Sequence, residues 1–544
     1  MRKTRATLLT IAVLAGTGIV AQARSQPLLT RHLRDEVVSG QVKFLNPMSS
    51  SQSLRIDVVL PLRDRAGLES FLAEVYDPSS PIYHHFLTVE DRANMFGPTP
   101  QDYEAVVAFA KAHGFTVVGG SWEAMDVQLQ GTVGAIESAF HVSMGVYQHP
   151  TENRTFYAPD REPTVDLPFQ LWHVSGLDNY SIPRPLVERR SPDAISLATT
   201  GSCPSKSFCG SDMRAAYYGG TSLTGSGQNI GLLEFYGFDI ADVNTYYTNA
   251  KQTRTAAVTG VSTDGTSINC TYPSCDDTEQ TLDITQALGM APGVTTVYVY
   301  VGSTDTALLG GMSSGSPLPL SLSSSWAWKP ADPSTDDPYF ETMAAQGQTF
   351  FQAAGDSKRW AAGGYNYPSE DANVICVGGT DLTTQSAGGA WKSETGWSSS
   401  GGGISPDHIA IPSYQTAKGI ITTTNKGSTK YRNGPDVSAN ANYTFYVCAD
   451  QSACTANLYG GTSFAAPMWA GYIALANQQA VTNGVAAPGF INPTLYSIGL
   501  STSYGSDFHD ITSGNNGFPA VKGYDLITGW GSPKGSGLIN ALAP

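Results

Sequence analysis

The sequence predicts an α/β protein in two parts, a smaller α/β domain followed by a larger, doubly wound domain with a mostly parallel sheet. Two observations lead to this prediction. All seven cysteines lie beyond residue 200, so the two parts of the chain differ in composition. Beyond residue 228, short apolar runs alternate with helical patterns, as happens where helices connect parallel strands across both faces of a sheet.

The first residues predict a secretory signal peptide over residues 1–23. Basic residues at positions 2, 3 and 5 precede an apolar run over about residues 8–20, and Ala21-Gln22-Ala23 offers a small-x-small cleavage site. The run is too short for a membrane span and polar sequence follows it. We therefore expect a secreted protein, in the extracellular medium or the periplasm, with no membrane attachment after the signal is removed.

The sequence pattern over residues 24–190 predicts the smaller domain. Its pattern is strand-like alternation over residues 41–60, a helix over 102–111 that Gly114 ends, strands over 115–118 and 125–129, and a helix over 133–140. Strands that alternate with two helices predict a compact α/β sandwich that is ferredoxin-like in outline.

Residues 191–544 predict the larger domain. Its apolar runs over residues 229–233, 296–300, 349–353 and 374–377 indicate buried strands of a mostly parallel sheet. In such sheets the functional sites form at the carboxyl ends of the strands.

Two carboxylates and a serine indicate a catalytic site. Glu279 and Asp283 are four residues apart in a helical pattern, so both can point from one helix face into the same site. Ser463 lies in Gly460-Gly461-Thr462-Ser463-Phe464, where the two glycines permit a tight turn that presents the hydroxyl at the start of a helix. A serine nucleophile needs a base, and here the nearest candidate is a carboxylate.

A histidine base is a poor alternative. Of nine histidines, only His408 and His509 lie beyond residue 190, and neither has the sequence context of a catalytic histidine. A carboxylate base suits an enzyme that acts in acid, where imidazole is protonated and cannot accept a proton.

These segments, together with Gly355-Asp356-Ser357 and the tail from Asp510-Ile511 to Gly523-Tyr524-Asp525, resemble the sedolisins. This family comprises serine-carboxyl peptidases, and the chain is similar to the kumamolisin type, which is made with an activation propeptide. The resemblance covers nearly the whole chain after the leader. It implies a subtilisin-like catalytic domain over residues 191–544. Residues 24–190 would be the propeptide, an intramolecular inhibitor and folding assistant that is cleaved off between about residues 186 and 202.

The resemblance also implies four catalytic residues: Ser463 as nucleophile, Glu279 as base, Asp283 as a hydrogen-bond partner that stabilises Glu279, and Asp356 as the oxyanion-hole residue. Asp356 must be protonated to donate a hydrogen bond, which is a second reason to expect an acidic optimum. Glu234 and Trp326 resemble residues that support the carboxylates. The following Ala327-Trp328-Lys329-Pro330 departs from the family pattern, which leaves the substrate specificity open.

A calcium site is implied near the C-terminus, with one structural Ca²⁺ as the expected cofactor. Asp510 and Asp525 would supply carboxylates, and Ile511, Val521 and Gly523 would supply backbone carbonyls. The family often has a smaller residue where Val521 stands, but a carbonyl does not depend on its side chain.

The spacing of the cysteines agrees with export. Three close pairs predict short local disulfides in an oxidising compartment: Cys203/Cys209, Cys270/Cys275 and Cys448/Cys454. Cys376 lies in an apolar strand pattern and is predicted to be a buried free thiol.

We therefore expect a monomeric, acid-acting endopeptidase whose partners are protein or peptide substrates. The net charge of −15 argues against nucleic-acid binding. Three alternatives stay open: a neutral protease with a histidine base, a tripeptidyl exopeptidase of the same family, and a non-catalytic secreted binding protein.

Overall fold

A computed structural model describes residues 25–191 and 200–544. The predicted signal peptide (1–23) lies outside the described residues, as do residues 192–199 of the predicted maturation region.

The smaller domain is a ferredoxin-like sandwich, as predicted. Its strands are β1 (Gln26–Pro27), β2 (Phe44–Pro47), β3 (Ser53–Val59), β4 (Thr116–Gly119), β5 (Asp126–Thr132), β6 (Met144–Gln148), β7 (Thr155–Pro159), β8 (Thr164–Val165) and β9 (His173–Ser175). Its helices are α1 (Asp35–Val38), α2 (Arg65–Val75), α3 (Val89–Phe96), α4 (Pro100–Ala112) and α5 (Val133–Phe140).

Four of these strands form an antiparallel sheet in the order β4-β5-β3-β9. The apolar face of the sheet packs with α4 and α5 around residues such as Val58, Leu129, Val106 and Ile136, all fully or almost fully buried. Strands β2, β6 and β7 form a separate three-stranded sheet. The predicted elements are therefore present, and the βαββαβ order of the main sheet explains why two helices cover one face.

Residues 184–189 contribute two short strands that link the domains, β10 (Arg184–Pro185) and β11 (Glu188–Arg189). The larger domain contains β12 (Asn229–Glu234), β13 (Ala257–Ser262), β14 (Thr296–Val301), β15 (Ser321–Ser324), β16 (Trp326–Ala327), β17 (Thr349–Ala353), β18 (Ile375–Thr384), β19 (Trp391–Gly396), β20 (Gly403–Ile404), β21 (Asn433–Gly434), β22 (Val437–Asn440), β23 (Tyr446–Val447), β24 (Thr455–Ala456), β25 (Tyr459–Gly460), β26 (Phe508–His509) and β27 (Ser532–Pro533).

The helices of the larger domain are α6 (Gly210–Tyr217), α7 (Ile240–Ala250), α8 (Thr278–Met290), α9 (Asp305–Ser313), α10 (Pro333–Ala345), α11 (Thr462–Asn483), α12 (Asn492–Gly499), α13 (Tyr504–Asp507) and α14 (Gly537–Leu542). Among the described residues, no helix combines the length and the apolar character needed to cross a bilayer.

The central sheet of this domain has eight strands, in the order β13-β14-β12-β15-β17-β18-β19, and β22 also pairs with β18. Every pairing is parallel except that of β19 with β18. Strands β12, β15 and β17 lie side by side, so their carboxyl ends meet at one edge. Helices α8 and α11 pack against each other and against this sheet.

The cysteine predictions are confirmed. Disulfides join Cys203 to Cys209, Cys270 to Cys275 and Cys448 to Cys454. Cys376 is a free, fully buried cysteine on β18.

Candidate active site

Helix α8 places the two predicted carboxylates on one buried face. The helix begins at Thr278, whose backbone N–H donates to the Asp276 carboxylate (3.0 Å). Glu279 and Asp283 therefore lie in the first turn and one turn later, and both side chains are almost completely buried. Two carboxylates taken out of water on one helix face raise the free energy of the charged forms unless other groups compensate.

A third carboxyl joins them at the carboxyl end of β12. Glu234 is fully buried and accepts a hydrogen bond from Trp326 Nε1 (2.7 Å). Asp283 Oδ1 accepts one from Ser325 Oγ (2.8 Å). The carboxyl groups of Glu234 and Asp283 lie close enough for one proton to be shared between them.

Burial dominates the protonation of this cluster. It raises the pKa of Glu279, Asp283 and Glu234 well above their usual values. The neighbouring carboxylates raise the pKa of Glu279 further, because a second negative charge close by disfavours ionisation. The three groups therefore titrate together and hold shared protons rather than three full charges.

Ser463 lies at the second position of α11, directly after a turn that only glycine tolerates. Gly461 has φ of 144°, and a Cβ at this position would lie 2.5 Å from Asp356 Oδ2. The turn brings Ser463 to the amino end of a helix, where the first four N–H groups have no intrahelical partner. The Ser463 N–H is thus available to a ligand.

The Ser463 hydroxyl faces Glu279. Ser463 Oγ accepts or donates no hydrogen bond of good geometry with any described residue, and neither do the two Glu279 oxygens. The hydroxyl is nevertheless close enough to stabilise the charged form of Glu279, since it lowers the pKa of that carboxyl against the effect of burial. The nucleophile and the base predicted from the sequence are therefore neighbours.

Asp356, in the loop after β17, is the fourth predicted catalytic residue at this site. Its Oδ1 accepts hydrogen bonds from the Thr462 backbone N–H (2.7 Å) and from Thr462 Oγ1 (2.9 Å). Its Oδ2 is buried and has no hydrogen-bond partner among the described residues. Burial raises the pKa of Asp356 well above its usual value, the bonds from Thr462 lower it, and the nearby Glu188 raises it again.

The two histidines of the larger domain have other neighbours. His509 stacks on Trp391, with ring centroids 4.0 Å apart, and His408 packs on Tyr431 at 4.6 Å. No described histidine hydrogen-bonds to Ser463. The geometry thus offers carboxyl groups and not imidazole as the base.

The five residues of the predicted calcium site also come together. Asp510 Oδ1 accepts a hydrogen bond from the Gly523 N–H (3.1 Å), and Asp525 Oδ2 accepts one from the Val521 N–H (2.9 Å). Within the described chain, no hydrogen bond is donated to the carbonyls of Ile511, Val521 and Gly523. The described residues contain no group of three acidic, histidine or cysteine side chains that could hold a metal, so an ion here would rely on these carbonyls.

Comparison with known proteins follows the same division of the chain. Residues 40–180 match the Pro-kumamolisin activation domain, and residues 284–497 match the Subtilase family. The chain is 29% identical to kumamolisin of Bacillus sp. (strain MN-32), covering 96% of this chain and 97% of the relative. It is 27% identical to sedolisin of Pseudomonas sp. (strain 101), covering 91% and 86%, and 27% identical to xanthomonalisin of Xanthomonas sp. (strain T-22), covering 95% and 69%.

The chain belongs to the sedolisin family. It is a serine-carboxyl peptidase with an activation propeptide, and its larger domain has the subtilisin-like fold that the sequence predicts. In this sedolisin the Subtilase match begins at residue 284, directly after Asp283, so Glu279 and Asp283 lie outside the matched residues.

The hydrogen bond expected between Asp283 and Glu279 stays a prediction for this sedolisin site. Asp283 accepts a hydrogen bond from Ser325, and Glu234 is a close neighbour of Asp283. Sequence reasoning missed the roles of Ser325 and Thr462 in holding the carboxyl groups. Each is adjacent to a residue already singled out, Trp326 and Ser463, and that adjacency was the available signal.

Proposed function

We propose that this protein is an acid-acting endopeptidase, secreted as a zymogen, which cleaves proteins through an acyl-enzyme on Ser463. One observation carries the proposal. The chain segment 184–189 runs through the site. Its first two residues pair with β16 and its last two pair with β25, and the chain continues in both directions. A cleft that accommodates chain on both sides of the nucleophile suits internal cleavage, whereas a tripeptidyl peptidase needs a stop after three residues.

In the proposed mechanism, the ionised carboxyl cluster accepts the Ser463 proton through Glu279 as Ser463 Oγ attacks a peptide carbonyl. Asp283 and Glu234 delocalise that proton. Protonated Asp356 and the Ser463 N–H donate hydrogen bonds to the oxyanion. Glu279 then protonates the leaving amine, and a water molecule hydrolyses the ester by the reverse route.

We expect a bell-shaped pH dependence, whose two limbs have different origins. The cluster must lose a proton to act as a base, so activity falls below its apparent pKa. Asp356 acts only while protonated. Because burial raises its pKa, activity extends to a higher pH than an ordinary aspartate would allow, and it falls as the pH rises through that pKa. Hydrolysis of an unfolded protein from pH 3 to 8 measures both limbs.

Asp356→Asn tests the origin of the upper limb. An asparagine keeps the acceptor for Thr462 and donates at any pH, so the upper limb should move to higher pH. Asp356→Ala removes the donor and should lower kcat by about 100- to 1,000-fold. An upper limb at the same pH in Asp356→Asn and wild type would contradict the proposed role of Asp356.

Sequencing the products from a long unfolded protein distinguishes the two peptidase modes. We expect internal fragments of varied length from the earliest times. Release of tripeptides alone, from the amino terminus, would identify a tripeptidyl peptidase instead.

Support for secretion comes from the three disulfides, which form and persist in oxidising compartments.

We also propose one structural Ca²⁺ bound by the carboxylates of Asp510 and Asp525 and by the carbonyls of Ile511, Val521 and Gly523. The three carbonyls accept no hydrogen bond within the described chain, which supports this site, since calcium prefers six or more oxygen ligands.

Removing calcium with a chelator should lower the unfolding free energy by about 3–4 kcal/mol relative to protein at saturating calcium. Thermal melting with and without added calcium measures this, and Asp510→Asn should lose the response. Identical melting of wild type under both conditions would contradict the site.

A further inference from the structure

The segment that joins the two domains lies in the cleft in a defined register. On one side, β10 pairs antiparallel with β16, with Arg184 opposite Ala327 and Pro185 opposite Trp326. The Leu186 N–H extends this pairing by donating to the Ser325 carbonyl (2.9 Å). The register therefore places Leu186 directly beside the residues that hold the carboxyl cluster.

On the other side, β11 pairs antiparallel with β25, with Glu188 opposite Gly460 and Arg189 opposite Tyr459. The Glu188 carboxylate accepts a hydrogen bond from the Tyr443 hydroxyl (2.5 Å). Both ends of the segment are thus fixed to the cleft walls, and the peptide bond between Leu186 and Val187 spans the gap between them.

That peptide bond lies over the turn before Ser463. The position of a Cβ on Gly461 would be 2.5 Å from the Leu186 carbonyl oxygen, 2.5 Å from Asp356 Oδ2 and 3.3 Å from Val187 Cα. The carbonyl oxygen and Asp356 Oδ2 are therefore separated by no more than the sum of the first two distances. Neither atom has a hydrogen-bond partner among the described residues.

A carbonyl without a donor thus faces a carboxyl oxygen without a partner, next to a serine hydroxyl without a partner. Protonation of Asp356 would let it donate to the Leu186 carbonyl and polarise it. Asp356 Oδ2 and Ser463 Oγ are buried, and each leaves a hydrogen bond unmade, which is costly in a resting structure. The arrangement is that expected of a bound substrate before attack.

We propose that the Leu186–Val187 peptide bond is the bond that the zymogen hydrolyses first, a proposal that rests on the function given above. Ser463 Oγ forms an ester bond with the Leu186 carbonyl carbon, and its proton passes to the carboxyl cluster. The C–N bond to Val187 breaks as that proton moves to the departing amine. Water then cleaves the ester, which leaves a new carboxyl group on Leu186 and free Ser463.

The contacts also indicate which substrate residues the cleft prefers on either side of the cleaved bond. Leu186 and Val187 are partly buried and pack against the main apolar core of the catalytic domain. Two residues beyond Leu186, Glu188 is held by Tyr443. Substrates with an aliphatic residue before the cleaved bond and an acidic residue second after it therefore match the segment that the cleft already holds.

The experiment uses the full-length zymogen, shifted from neutral to acidic pH and sampled over time. We expect the earliest propeptide fragment to end at Leu186 by mass, with a complementary fragment that begins at Val187. The propeptide's carboxyl end is the decisive readout, because later trimming of the catalytic domain does not alter it. A first propeptide fragment that ends elsewhere would overturn the proposal.

A pair of proline variants adds an independent check. Val187→Pro places a ring on the nitrogen of the proposed bond and should slow this cleavage by about 100-fold or more through misplacement of the reacting atoms. Ser191→Pro, outside the paired segment, should process as the wild type does. Equal rates for both variants would contradict the assignment.

A synthetic peptide of residues 180–191 covers the case in which Val187→Pro misfolds. Mature enzyme should cut it between Leu186 and Val187, and a Glu188→Gln version should be cut more slowly. Cleavage of the peptide at another bond counts against the assignment. If neither the peptide nor an unfolded protein is hydrolysed, the proposed function itself fails. Hydrolysis of the protein with a different propeptide end refutes only the Leu186–Val187 assignment.

Discussion

Replacing Ser463 by alanine should abolish both proteolysis of added protein and self-cleavage of the zymogen. The loss in kcat should be on the order of 10⁶-fold, the scale seen when a serine peptidase loses its nucleophile. The hydroxyl makes no hydrogen bond with a described residue, so its removal leaves no partner unsatisfied and the melting temperature should stay close to that of wild type. Measuring kcat and thermal melting on the same sample tests both statements.

Ser313→Ala is the matched control for this variant. Ser313 is also fully buried and in a helix of the catalytic domain, but its hydroxyl donates to the Gly310 carbonyl at the end of α9. It should keep wild-type kcat at some cost in stability. A Ser463→Ala protein that still matures and degrades protein at the wild-type rate would refute the acyl-enzyme on Ser463.

Replacing Glu279 by glutamine should lower kcat by about 100- to 10,000-fold, the usual contribution of a general base. Glutamine fills the same space but cannot accept the Ser463 proton at any pH in the working range. The lower limb of the pH profile should also change, because the carboxyl cluster loses the member that faces the nucleophile. Steady-state kinetics across pH measures the loss, with KM expected to change little.

Asp276→Asn controls for the loss of one negative charge in the same region. Asp276 is exposed, and its side-chain oxygen bonds to the Thr278 N–H at the start of α8, a contact that asparagine also makes. This variant should keep wild-type turnover. If Glu279→Gln kept wild-type turnover, Glu279 would not be the base, and another carboxyl group such as Asp283 or Glu234 would have to be.

Much of the site follows from local sequence. The four-residue spacing of Glu279 and Asp283 is enough to place both on one face once the segment is helical, because the helix geometry fixes side-chain direction. Two glycines before Ser463 predict the sharp turn at Gly461, whose φ of 144° few other residues could adopt. The alternation of strands and helices predicts both domains, and the structure has both.

Contacts between distant segments did not follow from the sequence. Asp283 lies beside both Ser325 and Glu234 because β12 and β15 lie side by side in the sheet. The register of residues 184–189 in the cleft likewise depends on β16 and β25, which are far away in the chain. From the sequence, the maturation site could be placed only between about residues 186 and 202.

The sequence by itself determined which kinds of residue are present, which helix face carries the acids, and where the chain can turn. Only the tertiary structure decided which carboxyl groups share a proton and which peptide bond lies beside Ser463. The physical reason is that helix and turn geometry is set by neighbours within a few residues. Burial and pairing in the site are set by parallel strands whose order no local pattern encodes.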